Sequence, residues 1–176
     1  MGYVPSQVDA FLESARGQYL DPDNQEMEAA TIRSARFELV KNGYSISAVD
    51  AAMEKLEDVF VERELERSFS ASGEEDFVRL LEEGLTLLAA RSNRARDKRF
   101  TKRKWPNRGY NRRQVDAFCS RLAAYLKQET EMTLKEVRLV VFKTQRRGYA
   151  EYQVDAFIEK LVEVLQRQHV ISKLGS

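Results

Sequence analysis

A chain of 176 residues with 43% apolar and 32% charged side chains has enough apolar material to fold, which excludes a disordered tail. Its formal net charge of +1 excludes a whole-chain polyelectrolyte, and its single cysteine, Cys119, excludes an internal disulfide and makes a reducing, cytoplasmic compartment the default expectation. No apolar run approaches the ~18 residues of a membrane span.

The first predicted helix begins at Pro5, a residue suited to a first helical turn, and carries the stripe Val8, Phe11, Leu12, Ala15 and Tyr19. Asp21-Pro22-Asp23-Asn24 reads as a turn, and a second helix is expected over about residues 25–39. Gly43-Tyr44 suits a sharp turn that a side chain would obstruct, after which Ser45 is a good N-cap. Residues 68–73 read as a break before a helix over about residues 74–98. A loop containing Trp105-Pro106 leads to Gly109-Tyr110, where Asn111 and Gln114 resemble a capping box before the stripe Val115, Phe118, Leu122, Tyr125 and Leu126. A helix over about residues 131–143 precedes Gly148-Tyr149 and the clearest stripe: Val154, Phe157, Ile158, Leu161, Val164 and Leu165. The expected fold is all-α, with about seven helices packed as helical hairpins.

Four of these stretches are copies of one motif, Gly-Tyr-x4-Val-Asp-x-Phe. Three are complete: Gly2, Tyr3, Val8, Asp9, Phe11; Gly109, Tyr110, Val115, Asp116, Phe118; and Gly148, Tyr149, Val154, Asp155, Phe157. The second copy has Gly43, Tyr44, Val49 and Asp50, with Ala52 at the Phe position and Met53 after it. Upstream halves precede three copies: Ile32-Arg33-x3-Phe37, Ala95-Arg96-x3-Phe100 and Val137-Arg138-x3-Phe142, the middle one followed by three extra residues near Trp105. The Gly-Tyr spacings of 41, 66 and 39 divide the copies into two tandem pairs, 1–70 and 71–176, the second with a longer first helix and a basic loop. Because the paired copies are covalently linked, packing within one chain is expected, leaving a monomer or weak homodimer.

The pattern [Ile/Val]-x4-Phe-x5-Gly-Tyr-x4-Val-Asp-x-Phe is similar to the N-terminal domain of the DivIVA family of bacterial cell-division and polar-growth scaffolds, and tandem copies in one chain look most like DivIVA-repeat proteins. Copy four matches throughout, from Val137 and Phe142 to Phe157. The resemblance implies a scaffold or adaptor with protein partners in that machinery, peripheral at membrane, septum or pole. It also places a membrane-touching loop just before Gly-Tyr. Here the residues two before Gly are the polar Lys41, Asn107 and Arg146, and Trp105 is the apolar substitute in the inserted loop.

The residues themselves point away from catalysis. The motif Asps read as structural, each about one turn inside a helix start, with a loop arginine such as Arg108 or Arg147 as a candidate partner. The motif Phe residues read as core anchors. His169 and Cys119 are single and cannot assemble a zinc site, and no phosphate-cradling glycine loop or nucleophile elbow is present, so no cofactor, no metal and no enzymatic activity are expected. Charge is segregated: residues 54–83 hold eleven acids and four bases, whereas Arg91 to Arg113 holds eleven bases and only Asp97 as acid. Within the basic stretch, Lys102, Arg103, Lys104, Trp105 and Arg108 are the candidate membrane or partner contact, with nucleic acid as the alternative ligand of the whole stretch. The expectation for Trp105 is that it folds back over a hydrophobic gap between helices.

Overall fold

The computed structural model describes residues 1–21 and 27–174. The helices, seven among the described residues, are α1 (Pro5–Leu20), α2 (Ala29–Ser34), α3 (Ile46–Ser72), α4 (Glu74–Ser92), α5 (Arg112–Leu126), α6 (Leu134–Arg138) and α7 (Glu151–Leu174). Four short strands accompany them: β1 (Gly2–Tyr3), β2 (Leu39–Val40), β3 (Arg108–Tyr110) and β4 (Thr144–Arg146). The chain divides into two compact units, Met1–Ala71 and Ser72–Ser176. No helix among the described residues is long and apolar enough to cross a membrane.

Local chemistry accounts for most helix ends. Pro5 opens α1, and the Asn111 side chain accepts from the Gln114 backbone N–H at 3.1 Å to open α5. The α5 start is not a full capping box, because the Gln114 side chain is engaged elsewhere. Thr133 and Glu136 do form one at α6: Thr133 Oγ1 accepts from Glu136 N at 3.3 Å and Thr133 N donates to Glu136 Oε2 at 3.0 Å. α3 continues to Ser72, so the break expected over residues 68–73 falls at Gly73, whose φ of +83° ends one helix and starts the next. Glu74, Glu75 and Asp76 place negative charge in the first turn of α4.

The expected all-helical account fails in the upstream halves. They are short helices followed by extended backbone: α2 ends at Ser34, α4 at Ser92 and α6 at Arg138, rather than near residues 39, 98 and 143. The turn expected at Asp21-Pro22-Asp23-Asn24, and the start of the helix after it, lie outside the described residues beyond Asp21. The extended parts pair antiparallel with the Gly-Tyr segment of the neighbouring copy. In the first unit Gly2 faces Val40 and Tyr3 faces Leu39. In the second Arg108, Gly109 and Tyr110 face Arg146, Gln145 and Thr144.

Gly-Tyr is strand in copies one and three, whereas Gly43 and Gly148 come directly after turns and only Tyr44 and Tyr149 bridge; in each copy the glycine allows close approach. The two Gly-Tyr segments of each unit pass at van der Waals contact, with Tyr3 bridging Tyr44 and Tyr110 bridging Tyr149. A Cβ on Gly2 would lie 2.3 Å from the Tyr44 carbonyl oxygen, and one on Gly43 would lie 2.3 Å from that of Tyr3.

The motif valines, Val8, Val49, Val115 and Val154, are all buried. Of the motif Phe rings only Phe157 is buried, while Phe11 and Phe118 are half-buried; at copy two Met53 joins the core and Ala52 is exposed. The first unit closes over Ala15, Ala29, Ile32 and Phe60. The larger second core gathers Leu81, Leu88, Val115, Cys119, Leu122, Val137, Val154, Leu161 and Val164, where α4 packs on α5 and α7, and α6 on α7. Gly84 lets α4 and α7 close, since a Cβ there would lie 2.6 Å from Val164 Cγ2.

Candidate interaction surface

The motif Asp and Tyr side chains exchange partners between copies. Tyr3 Oη donates to Asp50 at 3.0 Å and Tyr44 Oη to Asp9 at 3.3 Å. In the second unit Tyr149 Oη donates to Asp116 at 3.0 Å, and Tyr110 is hydrogen-bonded to Asp155. The expected arginine partners Arg108 and Arg147 are not used, because the antiparallel Gly-Tyr pair aims each phenol at the opposite helix start. Each Tyr carries a raised pKa: the bonded Asp is the main cause at Tyr3 and Tyr44, burial at Tyr110 and Tyr149.

Around Asp116 the exchange becomes a buried network. Asp116 accepts from the Asp97 backbone N–H at 2.8 Å, and Tyr149 Oη accepts from Arg99 N at 3.4 Å. The Arg99 guanidinium is itself buried, with Nη1 donating to the Asp116 carbonyl, Nη2 to Ser120 Oγ at 3.1 Å and Nε to the Arg94 carbonyl at 3.1 Å. Such a network specifies one arrangement when every member is satisfied.

This sorts the basic stretch. Arg99 is internal, Arg91 lies over the Phe100 ring at 5.3 Å, and Lys102 and Arg112 both bond the Asp97 carboxylate. The Lys102 bond is the main reason Asp97 is held below the usual carboxylate range, with Arg112 adding to it. Lys102 also bridges Tyr149 through the backbone, and Arg103 N donates to the Gly148 carbonyl at 2.8 Å. These two residues are thus held by backbone while their side chains stay exposed.

Trp105 sits on a turn closed by Asn107 N donating to the Lys104 carbonyl at 2.9 Å, and it is 73% exposed. The expectation that it folds back over a hydrophobic gap is corrected: the three extra residues form an outward turn instead of reaching the core. The fold adds residues that the candidate set lacked. Arg146 stands opposite Arg108 in the β3–β4 pair, and Arg147 N donates to the Asn107 carbonyl at 3.2 Å. Their only sequence signal is their place just before Gly148, matching Asn107 and Arg108 before Gly109. The result is an exposed indole with exposed Arg103, Lys104 and Arg108, beside Arg146 and Arg147 from the other copy.

Cys119 is buried on α5, and desolvation pushes its thiol up to about 11, so it is an apolar core residue in practice. His169 lies exposed on α7. Comparison with known protein families, with curated proteins and with solved structures finds no match to this chain.

Proposed function

We propose that the chain is a non-enzymatic scaffold or adaptor whose motif copies act as paired helix–loop–helix modules resembling those of the DivIVA family. It meets other proteins, and an anionic membrane surface, through the loop around Trp105. The observation that carries the membrane part is the 73% exposure of that indole beside exposed cations from both copies of the second unit. Burial would stabilise an indole by roughly 1.5–3 kcal/mol or more, so one held out on a closed turn is placed for contact. Indoles favour the headgroup layer, and each nearby Lys or Arg adds at most about 1 kcal/mol against anionic lipid. Protein partners in cell-division or polar-growth machinery, and a cytoplasmic location peripheral at membrane, septum or pole, follow from the motif resemblance. The non-enzymatic reading is supported by the two groups best suited to chemistry: Cys119 is buried and protonated, and the Asp116 cluster is closed by its own hydrogen bonds.

The nucleic-acid alternative is weakened by the same geometry, since Arg91, Arg99, Lys102 and Arg112 are engaged inside the unit. Co-sedimentation with phosphatidylglycerol vesicles, neutral vesicles and random duplex DNA separates the readings. The expected result is binding to the anionic vesicles alone, weakened several-fold by Trp105→Ala and again by raising salt from about 0.1 M to about 0.5 M. Because Trp105 is exposed, the variant keeps the wild-type circular dichroism. No vesicle binding by the wild type, unchanged binding by the variant, or a preference for DNA would contradict the membrane role.

A further inference from the structure

A motif Gly-Tyr strand can take an outer neighbour, and at three of four places the chain supplies one. In the second unit the row runs Lys102, Tyr149, Tyr110, Thr144, each antiparallel to the next. In the first unit it runs Tyr44, Tyr3, Leu39, and among the described residues nothing stands beyond Tyr44.

The three outer segments are built alike. A Phe two residues before the row packs at a steep ring angle, 57–80°, against the Tyr and Phe of the opposite copy: Phe37 with Tyr3 and Phe11, Phe142 with Tyr110 and Phe118, Phe100 with Tyr149 and Phe157, all between 5.4 and 5.9 Å. The carbonyl of the following residue accepts the N–H just after the motif Tyr. These bonds are Val4 N to Glu38 O at 2.9 Å, Asn111 N to Lys143 O at 2.7 Å and Ala150 N to Thr101 O at 2.8 Å. The N–H of that same residue is taken by the motif Gln: Glu38 by Gln7, Lys143 by Gln114 and Thr101 by Gln153.

At the fourth place each of these parts is missing together. Ser45 N–H has no backbone acceptor among the described residues. Ala48 stands where the other copies have Gln, and Ala52 where they have Phe. Tyr44 is 43% exposed, while its counterpart Tyr149 is fully covered. What remains is an apolar groove of about 230 Å³ lined by Val8, Leu12, Tyr44, Val49, Ala52 and Met53.

We infer that this groove and the Tyr44–Ser45 edge bind an extended peptide of a partner protein, added antiparallel as a strand, with an aromatic side chain seated in the groove and an arginine just before it. Strand addition to an open edge combines backbone bonds with a side-chain pocket. The aromatic follows from the Phe that fills all three equivalent places. The arginine follows from charge. Arg99, just before Phe100, lies with Nε 3.9 Å from the Asp116 carboxylate and donates to Ser120 Oγ, and the counterparts of Asp116 and Ser120 in the first unit are Asp9 and Glu13, both acidic and exposed. The inference deepens the adaptor reading and rests on it for the existence of a protein partner.

The probe is an acetylated peptide with the sequence of residues 97–104, which makes this seat in the second unit, titrated into the ¹⁵N-labelled full chain. Saturable amide shifts are expected at Gly43, Tyr44, Ser45 and Ala48. A scrambled peptide of equal charge, and one with Ala for the aromatic, should bind at least about tenfold more weakly. Ala48→Gln, an exposed helix position, restores the missing acceptor and should tighten binding about fivefold. Absent shifts at these amides, equal binding of the scrambled peptide, or no tightening by Ala48→Gln would overturn the inference. Concentration-dependent shifts at the same amides without peptide would also overturn it, by placing a second copy in the groove. Vesicle binding uses none of these residues, so failure here with vesicle binding intact removes the groove alone.

Discussion

A methyl group placed on Gly109 would lie 2.1 Å from the Tyr149 carbonyl oxygen and 2.9 Å from Cγ of Arg103, whereas one on Gly17 would meet nothing within 4 Å. The two glycines thus predict opposite results in urea unfolding. Gly109→Ala should cost about 3 kcal/mol or more, because backbone must move. Gly17→Ala, mid-helix in α1, should gain about 0.5–1 kcal/mol. Cys119 supplies a pH test. Its thiol is raised from 9.0 to about 11 in the fold, so its contribution is whole below pH 9 and is lost as pH rises toward 11. Stability of the second unit should fall by at most about 1.4 kcal/mol per pH unit across that window, with Tyr149, also raised, adding above pH 10. Melts of Cys119→Ala should flatten the slope between pH 9 and 10; an unchanged slope would show that another group carries it. At this scale the sequence displayed every motif residue, and their fixed offsets marked them as one unit. It did not display the exchange of partners: which Asp a Tyr meets depends on how two copies cross, and that is set by backbone approach at the glycines.

Helix stripes were legible because α5 and α7 bury one face at helical spacing, and Val115, Leu122, Val154, Leu161 and Val164 lie where that spacing puts them. Cys119 is as buried as its neighbours, but in sequence a lone cysteine speaks to the absence of a disulfide or zinc site rather than to packing. The upstream halves were misread because short apolar runs such as Val140-Val141-Phe142 fit helix and strand equally. That run is neither: residues 140–143 are irregular and lead into strand at Thr144–Arg146, where pairing with Gly-Tyr satisfies N–H and C=O groups that a longer helix would leave facing the neighbouring copy. The same pairing ranks the Phe side chains. Phe100→Ala should cost about 3–5 kcal/mol, because that ring is buried between Tyr149 and Phe157. Phe37→Ala, at the half-buried first-unit counterpart of Phe142, should cost about half as much. Equal losses in chemical denaturation would mean the two seats are filled alike, against the exposure they show.

The whole molecule is helix-dominated and has two compact units, Met1–Ala71 and Ser72–Ser176. The basic stretch looked uniform in sequence but is not in structure: part of it holds the second unit together and part faces outward around Trp105. No pattern in the chain announces that division, because it depends on Asp97 and Asp116 meeting the bases through the fold. Each unit closes by crossing its two Gly-Tyr segments, and among the described residues three outer edges are filled and one is open. Amide hydrogen exchange of the full chain tests it most directly, at Val4, Ser45, Asn111 and Ala150, the four residues that follow the motif tyrosines. Slow exchange is expected at Val4, Asn111 and Ala150, whose N–H groups are bonded at 2.7 to 2.9 Å, and fast exchange at Ser45. Slow exchange at Ser45, or fast exchange at Asn111 and Ala150, would contradict it.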